Sequence, residues 1–302
     1  MAPEAHRKTE PLATFETHGC SVAVWLIGAR ENTADAADAG ASSVDALHAG
    51  GATADANPSG ENAGAVGMSA SNLVVYLHVY DGDGADVARA CESVGCPPCT
   101  LVAIKPAGWN DDMTPWECPG LFAGDAPFSG HANRELAILE SDIIPRVESA
   151  LAPQSETASK TRPTRIIAGY SLAGLFALWA QARSAAFDRV ASASGSLWYP
   201  GFARFVRESA MTRPPECAFV SLGKKETKTP SRLLRNVAQG TDEVVTALRE
   251  KGIPTRFALN PGNHFKEPAL RMARGIAWCA SWPDVADADN ASGGLGRASG
   301  ID

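Results

Sequence analysis

The stretch TRIIAGYSLAGLFALWA (164–180) runs from a short apolar segment into a longer one, with a single serine, Ser171, at the junction. TRIIAG is apolar on successive residues and closes on Gly169, the pattern of a strand covered on both faces. LAGLFALWA continues without a breaker and reads as a buried helix. A serine on so sharp a strand-to-helix turn is exposed as a nucleophile only if its backbone accepts a strained conformation, and small neighbours are then required. Gly169 and Ala173, two residues before and two after, meet that requirement, and Gly174 follows. A serine at a helix start is also a common N-cap, so the string acquires its meaning from the rest of the chain.

Outward from this junction, short apolar runs alternate with amphipathic ones. The predicted strands are SVAVWLIG (21–28), NLVVYLHVY (72–80), TLVAIK (100–105), TRIIAG (164–169), VASASG (190–195), AFVSLG (218–223) and TRFALN (255–260). Apolar recurrence at three and four residues predicts helices over 84–93, 131–150, 172–183, 231–250 and 267–280. Strands that alternate with helices form a mainly parallel sheet flanked by helices on both faces, an α/β class. The whole chain, 1–302, reads as a single domain of this kind. Within it, 31–70 is nearly all Ala, Gly, Asp, Asn and Ser and is expected to be a disordered insertion. The end of the chain, 284–302, has the same composition and the same expectation.

Composition bounds the partners. The chain is 45% hydrophobic and 20% charged with a formal charge of −7, an ordinary globular balance without the concentrated basic surface that nucleic acid or an anionic membrane requires. The first twenty residues hold no apolar run of signal-peptide length, and a cytoplasmic location is the expectation. Seven cysteines at irregular spacing make a poor disulfide framework and predict mostly reduced thiols. Cys96-Pro97-Pro98-Cys99 is a CxxC, yet no second ligand pair completes a metal set and it precedes an apolar run, so it reads as a turn entering a strand. Neither a metal nor an organic cofactor is called for, and nothing in the sequence reports an oligomeric state.

In a Ser/acid/His hydrolase of this class the nucleophile precedes the acid and the histidine comes last. Of His6, His18, His48, His78, His131 and His264, only His264 follows both Ser171 and a late strand, in the loop NPGNHF before the terminal helix. His78 alternates within a strand, and His131 opens a helix. The acid belongs between them. Glu226 in SLGKKETKTP stands three residues past the strand-ending Gly223. Asp242, inside a helical stretch, is the other candidate, and a Ser/His dyad is a third arrangement. An oxyanion hole would use the N–H of Leu172 together with one from the turn VYDGDG, at Tyr80, Asp81 or Gly82.

Taken together, GYSLAGLFALWA, SASGSLWYPGF, SLGKKETKT and NPGNHF make the chain resemble, from about 70 to 282, the esterase D and enterochelin esterase family of the α/β hydrolases. The resemblance implies a serine hydrolase acting on small-molecule carboxylic esters, with Ser171 as nucleophile and His264 as base. It also implies an Asp where this chain has Lys224, and matches Glu226 to the retained glutamate. GWNDDMTPWECPGLFAGDAPFSG (108–130) resembles the family's long loop, and Trp109, Trp116 and Trp198 are candidates for a substrate wall or for burial in the loops themselves. Siderophore, short acyl and feruloyl esters all fit the family. Two further readings keep the same scaffold: an acyltransferase that passes the acyl group to an alcohol, and a catalytically silent binding protein.

Overall fold

Runs that are apolar on consecutive residues divide between two sides of one sheet. A computed structural model describes residues 10–28, 72–122, 124–152 and 162–283. The segments 31–70 and 284–302, and with them the disorder expected there, lie outside the described residues. Eight strands, β1 (Ala13–Thr17), β2 (Cys20–Ile27), β3 (Leu73–His78), β4 (Cys99–Lys105), β5 (Thr164–Tyr170), β6 (Arg189–Ala193), β7 (Cys217–Gly223) and β8 (Thr255–Asn260), form a single sheet in the order β1-β2-β4-β3-β5-β6-β7-β8. Strands β3 to β8 are parallel, whereas β1 pairs antiparallel with β2 and β2 antiparallel with β4.

The two-residue period of a strand assigns each side chain to a face. Val74, Tyr76, Val102, Ile104, Ile167 and Val220 join one apolar core, and Val75, Leu77, Leu101, Ala103, Ile166 and Phe219 join the other. The first core is closed by α3 (Ala132–Ile138), α4 (Ile144–Leu151), α5 (Leu172–Arg183), α6 (Phe202–Glu208) and α7 (Val237–Glu250). The second is closed by α1 (Ala85–Ser93) and α8 (Pro268–Ala280). A short helix, α2 (Trp109–Asp112), opens the long loop after β4. Helix α5 is buried from Leu172 to Ala182, and Leu175, Phe176, Leu178 and Trp179 each contribute about 2 kcal/mol by leaving water. That anchorage fixes the serine at its start.

The predicted strands and helices coincide with observed ones to within a few residues, and the short helix α2 is an addition to them. The predicted 131–150 helix carries a π-helical turn, Leu139–Ile143, between α3 and α4, and the predicted 231–250 helix begins as a 3-10 turn at Leu234–Asn236. Strand β1 and helix α6 were not expected from the sequence: ATFET alternates buried and exposed residues over only five positions, too short a run to stand out from a polar terminus. All seven cysteines are buried free thiols, and Cys99 opens β4, so the CxxC is a turn into a strand. Among the described residues no helix is long and apolar enough to cross a membrane.

Candidate active site

The parallel strands bring their carboxyl ends to one edge of the sheet, where side chains far apart in sequence converge. At the end of β5 the chain turns within one residue. A Cβ on Gly169 would stand 2.2 Å from the carbonyl oxygen of Ala173, so only glycine allows α5 to start this close to the strand. Ser171 absorbs the turn at φ 59, ψ −123, a region that non-glycine residues avoid. Its N–H donates to Ala193 O at 3.2 Å and its carbonyl accepts from Ser196 N–H at 2.9 Å, which holds the strained conformation. The serine side chain makes no capping hydrogen bond to α5. Its Oγ instead lies 3.0 Å from His264 Nε2.

His264 sits in the loop between β8 and α8, and Glu226 in the turn after β7. The two loops are joined by Lys224 N–H to Asn260 O and Lys225 N–H to Gly262 O, both 2.9 Å. Gly223 lets the acid fold back on its own strand, since a Cβ there would lie 2.8 Å from Glu226 Oε1. Glu226 Oε2 then stands 2.8 Å from His264 Nδ1. Its other oxygen accepts from Gly223 N–H at 2.6 Å, from Ser194 Oγ at 2.8 Å and from Arg271 Nη1 at 3.2 Å.

Burial pushes the Glu226 carboxyl toward its neutral form, but the His264 hydrogen bond and charge, with the Ser194 and Gly223 donors, outweigh it and hold the group below the usual glutamate range. An ionised carboxylate only accepts, so Nδ1 carries the proton of the neutral imidazole and the Nε2 lone pair faces the Ser171 hydroxyl. This is the protonation pattern that proton transfer from a serine requires.

Ser171 and Leu172 open onto a cavity of about 690 Å³, whose walls include Trp109, Leu121, Phe128, Trp198, Leu234 and Val237. Asp125, Lys225 and Lys228 supply charge at the same cavity. Tyr80 lines it too, 70% exposed, with its ring edge-on to Trp109 at a centroid distance of 5.3 Å. Asp81 and Gly82 are not among the lining residues, and the Asp81 side chain turns to Lys105 Nζ at 2.7 Å. Trp116 stands apart from the cavity: its Nε1 donates to Pro200 O at 3.0 Å and its ring packs on Tyr199, Phe202 and Phe205. Asp242 is exposed on α7 and is not among the residues that line the cavity. His78 is buried in the first core against Glu135 at 2.8 Å, and His131 caps the start of α3. Among the described residues no group of His, Cys, Asp and Glu is placed to hold a metal ion.

Ser194, Tyr170 and Arg271 belong to this site and were not anticipated from the sequence. Tyr170 Oη donates to the His264 carbonyl at 2.6 Å, and Arg271 Nη1 reaches Ser194 Oγ at 3.0 Å. The available signal was Arg271 at the buried spacing of α8, in line with Gly275 and Trp278.

No protein-family model matches the chain. A Bacillus subtilis (strain 168) protein, the uncharacterized protein YbbA, is 27% identical over 183 residues, covering 58% of this chain and 71% of that protein. The siderophore hydrolase EstA from Aspergillus nidulans superposes with a TM-score of 0.62 at 17% identity, covering 94% of this chain and 98% of that one. EstB from the same fungus gives 0.55 at 16% identity, with the same coverage. The enterobactin esterase FES from Shigella flexneri gives 0.50 at 16% identity, covering 93% of this chain and 61% of that one. The chain has the α/β-hydrolase fold that these siderophore and enterobactin esterases share.

Proposed function

We propose that the protein is a serine esterase that hydrolyses carboxylic esters through an acyl-enzyme. The observation that carries this reading is the chain of hydrogen bonds from Ser171 Oγ through His264 to Glu226, 3.0 and 2.8 Å, at the floor of the cavity. Ser171 attacks the ester carbonyl as His264 Nε2 takes its proton. Glu226 stabilises the imidazolium, which then protonates the departing alkoxide. Water deprotonated by His264 releases the acid and restores the serine. The N–H of Leu172, first in α5, stabilises the oxyanion together with an N–H of the turn after β3, where Tyr80 is the cavity-lining member.

The size and apolar walls of the cavity fit a bulky ester, and the names of the superposing hydrolases make siderophore-type esters the first substrates to try, with short acyl esters beside them. Steady-state rates on trilactone siderophore, short acyl and feruloyl esters, with fluorophosphonate labelling, test the reading. Labelling at Ser171 and a loss of about 10⁴-fold or more in kcat for Ser171→Ala and His264→Ala are expected. Equal rates for parent and Ser171→Ala overturn it. Products that are mainly transesterified when an alcohol is added identify a transferase instead.

A further inference from the structure

One buried cation near the site takes no part in the proton transfers above. Arg271, in the first turn of α8, is 2% exposed. Met272 and Ile276 on the same helix are buried apolar residues. A guanidinium kept out of water is costly unless its donors are matched; here Nε is buried without a partner, while both Nη groups are matched to the two halves of the catalytic pair. Nη1 lies 3.2 Å from Glu226 Oε1, 3.0 Å from Ser194 Oγ and 3.3 Å from Tyr170 Oη. Nη2 donates to the carbonyls of Pro261 at 2.8 Å and Asn263 at 2.9 Å, in the loop that presents His264. Tyr170 closes the ring by donating to the His264 carbonyl at 2.6 Å.

We propose that Arg271 is a positioning residue for the esterase reaction: its planar guanidinium clasps the acid with one amino group and the histidine loop with the other, and offsets the charge of the acid. The inference rests on the serine-esterase reading. Geometry supplies the first half, because the fixed fork of an arginine binds in two directions at once and a lysine ammonium does not. Electrostatics supplies the second. The charged and titratable groups around the imidazole are Glu226, Arg271 and the Tyr170 phenol on the protein side, with Lys225, Lys228 and Asp125 on the cavity side. With Arg271 against it, Glu226 still orients the Nδ1–H while part of its charge is offset, so removing Arg271 is expected to strengthen its pull on a proton at the imidazole.

The test is the pH profile of kcat/KM for the parent, Arg271→Gln, Arg271→Lys and Tyr170→Phe, each normalised to active sites titrated with a fluorophosphonate. Arg271→Gln is expected to lower kcat about tenfold with KM within about twofold, and to move the acidic limb up by about one pH unit. Arg271→Lys restores the limb to its parent position while kcat stays low, and Tyr170→Phe lowers kcat several-fold without moving the limb. A merely structural arginine would reduce the titrated fraction and leave the limb in place. An active parent with an unmoved limb in folded Arg271→Gln overturns this inference alone. Should Arg271→Gln fail to fold, parent-like kcat in both Arg271→Lys and Tyr170→Phe overturns it. A parent that is neither labelled nor active removes the esterase reading, and this inference with it.

Discussion

Ser171 Oγ and His264 Nε2 lie 3.0 Å apart although 93 residues of chain separate them. Helix α5 and strand β8 share no local sequence relationship. The contact of Ser171 with His264 exists because β5 and β8 run parallel in one sheet and end at the same edge, with Glu226 in the turn after the intervening β7.

The acid can be separated from its sequence competitor. Glu226→Gln keeps the shape of the side chain but cannot support an imidazolium, and kcat should fall about 10²- to 10⁴-fold with KM little changed. Asp242→Asn, on the exposed face of α7, should leave both constants at parent values. Steady-state kinetics of the two variants on one ester decide it.

The tryptophans should divide by role. Trp109 lines the cavity against Tyr80, so Trp109→Ala is expected to raise KM about tenfold for a bulky aromatic ester and about twofold or less for an acetyl ester. Trp116 packs on Tyr199, Phe202 and Phe205, and Trp116→Ala should instead cost about 2 kcal/mol of stability by urea denaturation, with KM unchanged.

Close approach at the strand-to-helix turn predicts intolerance of a single methyl group. Gly169→Ala places its Cβ 2.2 Å from backbone atoms of Ala173, which are fixed by α5, and is expected to destabilise the fold by about 3 kcal/mol or to prevent accumulation of folded protein. Gly95→Ala, at φ 69 with open space around it, should cost only about 1 kcal/mol. Urea midpoints of the two variants compare crowding with backbone strain directly.

The acid limb of stability is set in part away from the site. Asp188 is buried, which pushes its carboxyl up, but the hydrogen bonds and charge of Arg162, the Arg165 N–H and the charge of Arg213 outweigh burial and hold it below the usual aspartate range. A depressed folded-state value means that this stabilisation is complete above the unfolded aspartate value, about 3.9, and is lost as pH falls from there through the folded value. Asp188→Asn should therefore lose about 2 kcal/mol at pH 7, with the gap to the parent closing below about pH 4 and kcat unaffected. Urea denaturation at the two pH values gives the difference.

Much of the candidate site was legible in sequence because its signals are local. The sharp turn needs small residues at 169 and 173, a loop histidine after the last strand needs a glycine-containing turn, and an acid past a strand end needs Gly223 before it. The parallel strands were legible for the same reason, since burial on both faces leaves runs such as TLVAIK. Strand β1 was not, because five alternating residues carry too little periodicity.

Sequence alone placed most of the elements in order and singled out Ser171, His264 and Glu226 as candidates for one site. Tertiary structure decided which of them meet. It turned Asp81 to Lys105 and placed Trp116 behind Pro200. It also carried Arg271 from the face of a terminal helix to within 3.2 Å of Glu226, 45 residues away in sequence. The physical reason is one of range. Periodicity and turn chemistry report interactions within a few residues, whereas the charge and hydrogen bonds around Glu226 depend on strand order and helix docking, which no single segment encodes.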